Sequence, residues 1–320
     1  MANPDVGDLH VNSLLTNMSI GYINADYIAD RGCPLLPVNK QSDIIPEYDK
    51  SYWFRDDARL RAPGGDLHIG EYKVTTTATY FARNFQWATK VTPEQIANAD
   101  APFRPEQDAT RLVTDKLQLK REVQFASNFM ATSKWGTDDD NSATDWDDFA
   151  NSNPIDDAET AARTVRQAIG RRPNRAVMGD IVWSALKQHP LILDRISGGA
   201  TPGSPATITR QLVAALFELD ELLVASAIQT ATDEGVAEAS ATYTDVIDDD
   251  CLFVYVSPTP GIFVPSGMYT FYWRPLTGGG PQFIRRIEDT KVNATIIDGQ
   301  GYWDQKLTCS KAGYFFSDIV

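Results

Sequence analysis

At 320 residues, 42% of them hydrophobic and 22% charged, the chain is long enough to bury a core of one large or two moderate domains. It contains no apolar run of about eighteen residues that could cross a membrane, and no basic-then-apolar leader at its start. A net charge of −14, from 43 acidic and 29 basic residues, argues against a reader of nucleic acid, because gripping phosphates requires a positive face that releases counterions.

Residues 1–48 scatter apolar groups such as Leu14, Leu15, Ile20, Tyr22, Ile23, Tyr27 and Ile28 between two proline-flanked turns. With so little periodicity, this stretch reads as an extended arm lying along another surface. Strand patterns follow over 51–62 and 71–91, on either side of the turn signal Pro63-Gly64-Gly65-Asp66, and predict a long β-hairpin. Tyr72, Val74, Thr76, Ala78, Tyr80 and Ala82 share one face, and Lys73, Thr75, Thr77, Thr79, Phe81 and Arg83 the other. Both faces are half apolar, so the hairpin is expected to project and to need a partner, an isolated hairpin being marginal in water.

A connector from Pro93 to Pro105 leads to a run predicted as one helix, Pro105 to Trp135. Proline is tolerated in the first turn, Glu106 and Asp108 suit the positive end, and no Gly or Pro interrupts the run. Its length is roughly 45 Å at 1.5 Å per residue, and Leu112, Leu119, Val123, Ala126 and Met130 form the expected apolar stripe. The next stretch, 136–157, is strongly acidic. A calcium loop starting at Asp138 would want Gly and Glu where Ala143 and Phe149 stand, so it reads as a solvated linker with Trp146 and Phe149 packed down.

From 159 to 196 the pattern is clearest. Ala158, Ala161, Ala162, Val165, Ala168 and Ile169 recur at helical spacing; Gly170 can close the helix in a left-handed conformation and Pro173 prevents its continuation. Arg175 to Met178 suits a short buried strand, and Asp180 opens a second helix with Val182, Ala185 and Leu186 inward. His189-Pro190 interrupts that helix before a further turn or two. Later, 251–258 and 267–275 are continuously apolar, which predicts strands buried on both faces. Three strands of mixed polarity are expected in "FIRRIED", "NATIIDG" and "YWDQKLTC", before "SKAGYFFSDIV" closes the chain.

Catalytic chemistry is hard to find. There is no nucleophile elbow, phosphate loop, dinucleotide fingerprint or zinc-protease motif. His10, His68 and His189 are too dispersed to form a metal cage with Cys33, Cys251 and Cys309, which read as free thiols. His189, at a helix end, is expected to meet terminal carbonyls. The adjacent pairs Asp56-Asp57 and Asp156-Asp157 should point apart, and the basic runs "GRRPNR" and "FIRRIEDTK" are local exceptions to the acidic balance. No catalytic, cofactor or metal residue is assigned.

The run "RRPNRAVMGDIVWSALKQHPLILDRI" resembles the axial-domain segment of tailed-phage major capsid proteins of the Hong Kong 97 type. The next block, "ITRQLVAALFELDELLVASAI" (208–228), resembles the helix, acidic turn and strand that follow it there. The resemblance implies an α+β Hong Kong 97-type phage capsid fold. Its parts would be an N-terminal arm (1–48), an extended β-hairpin loop (49–92), a peripheral domain with a long spine helix (93–158), an axial domain (159–277), and return strands of the peripheral domain with the C-terminus (278–320). It places the 197–207 loop near the local symmetry axes.

The implied function is that of a virion capsid subunit. It would assemble with copies of itself, as hexamers and pentamers, into an icosahedral shell around double-stranded DNA bound without sequence specificity. Portal, scaffolding and decoration proteins are the further partners, with no membrane, and assembly takes place in the bacterial host cytoplasm. Because the chain starts at Met1 without a long helical extension, assembly guidance is expected from a separate scaffolding protein. Some members join lysine to asparagine between subunits; Lys73, Lys90 and Lys291 are available, but no local pattern identifies a pair. An encapsulin-like nanocompartment shares the implied fold. A tail or decoration component would form trimers or tubes, and a cytoplasmic enzyme using scattered carboxylates is the rival from another class.

Overall fold

The computed structural model describes residues 27–48, 50–100, 103–140, 145–197, 208–233, 236, 238–261, 265–277 and 280–320. Most of the predicted arm (1–26) and nearly all of the loop expected near the symmetry axes (198–207) lie outside the described residues. The strands are β1 (Leu35–Val38), β2 (Ser42–Tyr48), β3 (Val74–Phe81), β4 (Arg83–Val91), β5 (Thr137–Asp140), β6 (Arg175–Gly179) and β7 (Glu221–Ala225). They continue with β8 (Ile228–Thr230), β9 (Tyr243–Asp245), β10 (Cys251–Val254), β11 (Met268–Trp273), β12 (Gln282–Asp289), β13 (Ala294–Leu307) and β14 (Gly313–Ser317).

One five-stranded sheet runs β5-β14-β10-β6-β7. Side chains alternate across it, and both faces are covered. Ala176, Met178, Leu222, Val224, Phe253 and Phe316 meet a layer of helices, Pro154–Ile169, Asp180–Gln188, Pro190–Ser197 and Arg210–Leu216. Their sequence neighbours Val177, Leu223, Leu252, Val254 and Phe315 point the other way, onto Phe125, Phe129 and Ile28. Burial on both sides is why these strands read as unbroken apolar runs. The helix-strand-helix order predicted for 159–196 is observed, with Gly170 at φ 77° closing the first helix.

The second sheet is built on β13. Residues 294–301 of this strand pair with β12, 295–303 with β4, and 303–307 with β11, which takes β1 in parallel. "NATIIDG" and "YWDQKL" are therefore one fourteen-residue strand, where two were expected. The Gly299 and Gly301 pair inside it serves close packing. A Cβ on Gly299 would lie 2.3 Å from Val113 Cγ1, so only glycine lets the long helix approach here.

That helix spans Pro105–Phe129 and stops six residues short of the predicted end. Trp135 turns back and donates its Nε1–H to the carbonyl of Phe129 at 2.7 Å, capping the helix from beyond it. The buried face only partly follows the predicted stripe: Met130 is buried and Leu119, Val123 and Ala126 are partly buried, but Leu112 is exposed, and the buried helix positions are Ala109, Val113, Leu117, Arg121, Glu122, Phe125 and Phe129. The reason is that the helix serves two sheets. Ala109 and Val113 pack on Val91 and Ile297, Leu117 on Trp303, and Phe125 and Phe129 on the first sheet. Its inward face therefore rotates along its length, which no single stripe describes.

One further pairing departs from expectation. The antiparallel partner of β3 is β2, within the predicted arm, and the 51–62 stretch forms no strand. At Ala82 the chain leaves this two-stranded ladder and enters the second sheet as β4. In addition, β11 belongs to the second sheet, and the terminal β14 to the first, between β5 and β10. Sheet membership of short apolar strands depends on distant partners, and local sequence is silent about them.

Candidate functional site

The residues that drew attention as chemistry are held in structural roles. His189 is fully buried, and its Nδ1 accepts the N–H of Leu191 at 3.3 Å, so it serves the start of the next helix and not the terminal carbonyls of the preceding one. With Nδ1 accepting, Nε2 carries the proton and faces Ser152 Oγ at 3.0 Å; that hydroxyl donates to the carbonyl of Asp148 at 2.7 Å. Burial pushes the imidazole below its usual range, which keeps this neutral tautomer. Phe149 lies edge-on to the same ring, yet is exposed and not packed down as expected, while Trp146 is fully buried and donates to Asp157 at 2.9 Å.

Asp156 and Asp157 do point apart: Asp156 accepts from Asn153 Nδ2 at 2.6 Å, and Asp157 faces Trp146. His68, Asp56, Asp57, Lys73, Lys90 and Lys291 are exposed, the first four on the stretch 54–73, and His10 lies outside the described residues. Cys33 and Cys251 are buried free thiols and Cys309 a partly covered one. Burial raises all three, away from the thiolate that reactivity requires.

The arginines of both basic runs are engaged inside the subunit. Arg172 pairs with Glu159 and Glu218, Arg175 with Glu221, and Arg171 reaches the Tyr255 hydroxyl. Arg286 meets Glu106 at 2.9 Å, and Arg285 meets the buried Asp298 at 2.7 Å. A cavity of about 250 Å³ between Asn153, Asp156, Leu191 and Asp194, and one of about 200 Å³ beside Trp303 and Gln305, are both smaller than a ligand site of about 300–1,000 Å³.

The exposed feature with the strongest demand for a partner is the segment between the β2–β3 ladder strands. After one turn of helix, Lys50–Trp53, the chain runs from 54 to 73 without helix or strand. The predicted turn at 63–66 is present, with Gly64 at φ 80° and Arg61 Nε donating to the carbonyl of Gly65 at 2.7 Å. Large apolar side chains stand in water along it: Phe54 is 62% exposed, Leu60 104%, Leu67 70%, Ile69 83% and Tyr72 71%. Single exposed apolar residues are ordinary, but a contiguous series marks an interaction site.

The root of this segment is fixed while its tip is not. Lys50 Nζ donates to the Gln167 carbonyl at 2.9 Å, at the negative end of helix Pro154–Ile169. The Phe54 ring lies over Gly170, where a Cβ would come within 3.0 Å of it. On the return side, Phe81 N donates to Asp304 at 2.9 Å. The loop is thus aimed by both sheets' supporting elements.

The major capsid protein of Burkholderia phage BcepMu is similar to this chain, 26% identical over 97% of this chain and 96% of the relative. Among solved structures, a phage-related protein from Bordetella bronchiseptica RB50 superposes with a TM-score of 0.68 at 24% identity, covering 97% of both chains. The capsid of cyanophage P-SCSP1u superposes with a TM-score of 0.60 at 10% identity, over 98% of this chain and 94% of that one. These likenesses identify the α+β architecture described above as the Hong Kong 97-type capsid fold. The sequence profile of phage major capsid protein E matches residues 123–290, more than half of the 320, and the chain therefore belongs to the phage major capsid protein E family.

Proposed function

We propose that this subunit assembles with copies of itself, as hexamers and pentamers, into a closed icosahedral shell around double-stranded phage DNA. The observation that carries this reading is the 54–73 segment, rooted at both ends and apolar along its exposed length. A neighbouring copy that covers Leu60, Leu67 and Ile69 removes surface that the lone subunit leaves in water. Ring closure follows when one patch meets a different patch on the next copy. In this reading the β2–β3 ladder with residues 50–73 is the extended loop, the second sheet and the long helix form the peripheral domain, and the first sheet with its helices forms the axial domain. Strand β11 then goes with the peripheral domain and β14 with the axial one.

The role is structural and not catalytic, and the wall has little to hold DNA by. With a net charge of −14 and four of the five arginines of the two basic runs paired to carboxylates, the protein suits a container that does not adhere to its cargo. Portal, scaffolding and decoration proteins complete the expected partners, in a bacterial cytoplasm. Negative-stain microscopy with size-exclusion chromatography, on protein produced with and without its neighbouring genes, tests the reading. Closed shells or free capsomers are expected, and nucleic acid inside them separates a virus from a nanocompartment with protein cargo. A homogeneous monomer or dimer under every condition would sink the proposal.

A further inference from the structure

The long helix carries a buried charge cluster that the capsid reading does not use. Glu122 is fully buried, and Arg121 beside it is 3% exposed. Both face the short segment Tyr27–Cys33. The guanidinium of Arg121 donates to Asp30 at 2.9 Å and to Gln282 at 3.1 Å, and stacks over Trp303. It makes no hydrogen bond to Glu122. The Glu122 carboxyl is held instead by two backbone amides of the segment, Ile28 N and Ala29 N.

The charges here do not balance. Two carboxylates, the buried Glu122 and the exposed Asp30, share one buried guanidinium. Of the charged groups nearby, Arg31 pairs with Glu221 of β7 and Asp115 accepts the Tyr27 hydroxyl at 2.6 Å, while Lys116 and Lys120 of the helix are exposed. From the second sheet the group reaching in is the neutral Gln282, and the Cys33 thiol is buried under the same segment. The hydrogen bonds also leave room for a proton. Oε2 alone accepts both amides, at 3.1 Å from Ile28 N and 2.8 Å from Ala29 N, whereas Oε1 has only a redundant 3.2 Å contact to Ile28 N. A proton on Oε1 therefore costs the segment neither amide bond.

We infer that Glu122 is a proton-operated clamp on the root of the N-terminal segment, firm when the carboxyl is neutral and looser when it is charged. The direction follows from linkage. Burial first, and the Asp30 charge in addition, raise Glu122 from 4.5 to about 7 while the segment is seated, against the opposing pull of the two amides and Arg121. Lifting the segment exposes the carboxyl and returns it toward its ordinary value. The seated state therefore binds a proton more tightly, its advantage is complete below about 4.5, and it is lost as pH rises through about 7.

Hydrogen exchange on the purified full-length subunit tests this without reference to shell formation, so it stands or falls separately from the assembly reading. Protection of the Ile28 and Ala29 amides, corrected for the intrinsic pH dependence of exchange, is expected to fall about 30-fold between pH 5.5 and 8. Leu252, buried in the first sheet, is the internal reference, and the fall at Ile28 and Ala29 is read relative to any change there. In Glu122→Gln, which keeps an acceptor oxygen but cannot ionise, the slope should vanish. A flat wild-type profile, or the same slope in Glu122→Gln, would overturn the clamp. Should that variant not fold, Asp30→Asn provides the second reading: removing the neighbouring carboxylate must move the midpoint to lower pH, and an unmoved midpoint overturns the proposal equally.

Discussion

Strands β10 and β14 are buried at every position, whereas β12 is mostly exposed and β4 is covered at few of its nine residues. The first sheet has a helical layer on one face and the end of the long helix on the other, so its inner strands β14, β10 and β6 are almost wholly apolar, and only the marginal β5 is acidic. The second sheet has that helix on one face only. Its other face closes over a polar network in which Asp298, 1% exposed, accepts from Arg285, Gln86 and Gln300. The contrast separates two tasks within one subunit. One sheet is a self-contained core; the other is a platform that leaves a face, margins and an attached loop available to something else.

If that division is right, substitutions should differ in kind between the two sheets. The largest loss is expected at Phe253, fully buried in the first sheet between Phe217 and Phe316. Phe253→Ala should cost about 3–5 kcal/mol in denaturant unfolding of the isolated subunit. A loss below about 1 kcal/mol would mean the two-sided core is not where stability resides. Next comes the seam between the long helix and the second sheet. Gly299→Ala drives a methyl toward Val113 and Leu117, and about 1–3 kcal/mol should be lost as the helix lifts.

The first sheet also contains a built-in opposing effect. Asp250, at the mouth of β10, is raised to about 7 by burial and by the neighbouring Asp249, with Asp318 and Asp248 adding to it. A carboxyl raised by folding costs stability where it is charged, and the cost is relieved as pH falls through its folded value. Asp250→Asn should therefore raise the melting temperature by a few degrees at pH 8 and leave it unchanged at pH 5. An equal gain at both pH values would assign the effect to something other than ionisation.

The same division explains which parts of the fold the sequence revealed. From 158 to 197 the cues are local: helical spacing of alanines, Gly170 at positive φ and Pro190 opening the next helix, although the first helix begins at Pro154, inside the stretch read as a linker. Those elements otherwise lie in the structure where the pattern predicts them. Pairing is not local, so the alternation in 74–81 announced a strand without naming β2 as its partner. The long helix misled for a related reason, since one stripe was sought on a helix whose buried face turns from one sheet to the other. Glu122 and Arg121 were invisible because a Lys-Arg-Glu run ordinarily signifies a solvated face, and only the tertiary fold brings Tyr27–Cys33 over them. The projecting segment was legible as a turn between half-apolar stretches. Its root on Gln167 and Gly170 was not, because that contact joins residues more than a hundred positions apart.

The smallest effect on stability and the sharpest test of the comparison are expected at the loop. Leu60 and Ile69 are 104% and 83% exposed and lie in a stretch without regular structure. Replacing both with serine removes no packing from the isolated subunit, so its unfolding free energy should stay within about 0.5 kcal/mol of wild type. The same change removes the apolar surface that a neighbour would cover, so shells or capsomers seen by microscopy should be lost or strongly reduced. Stability and assembly would then separate cleanly, which buried positions such as Phe253 cannot do because there both fall together. Normal assembly by the double variant would place the intersubunit surface elsewhere, with the open margins of β4 and β12 next in line. A large loss of stability would mean instead that the loop packs on its own subunit, and the contrast between core and platform would no longer hold.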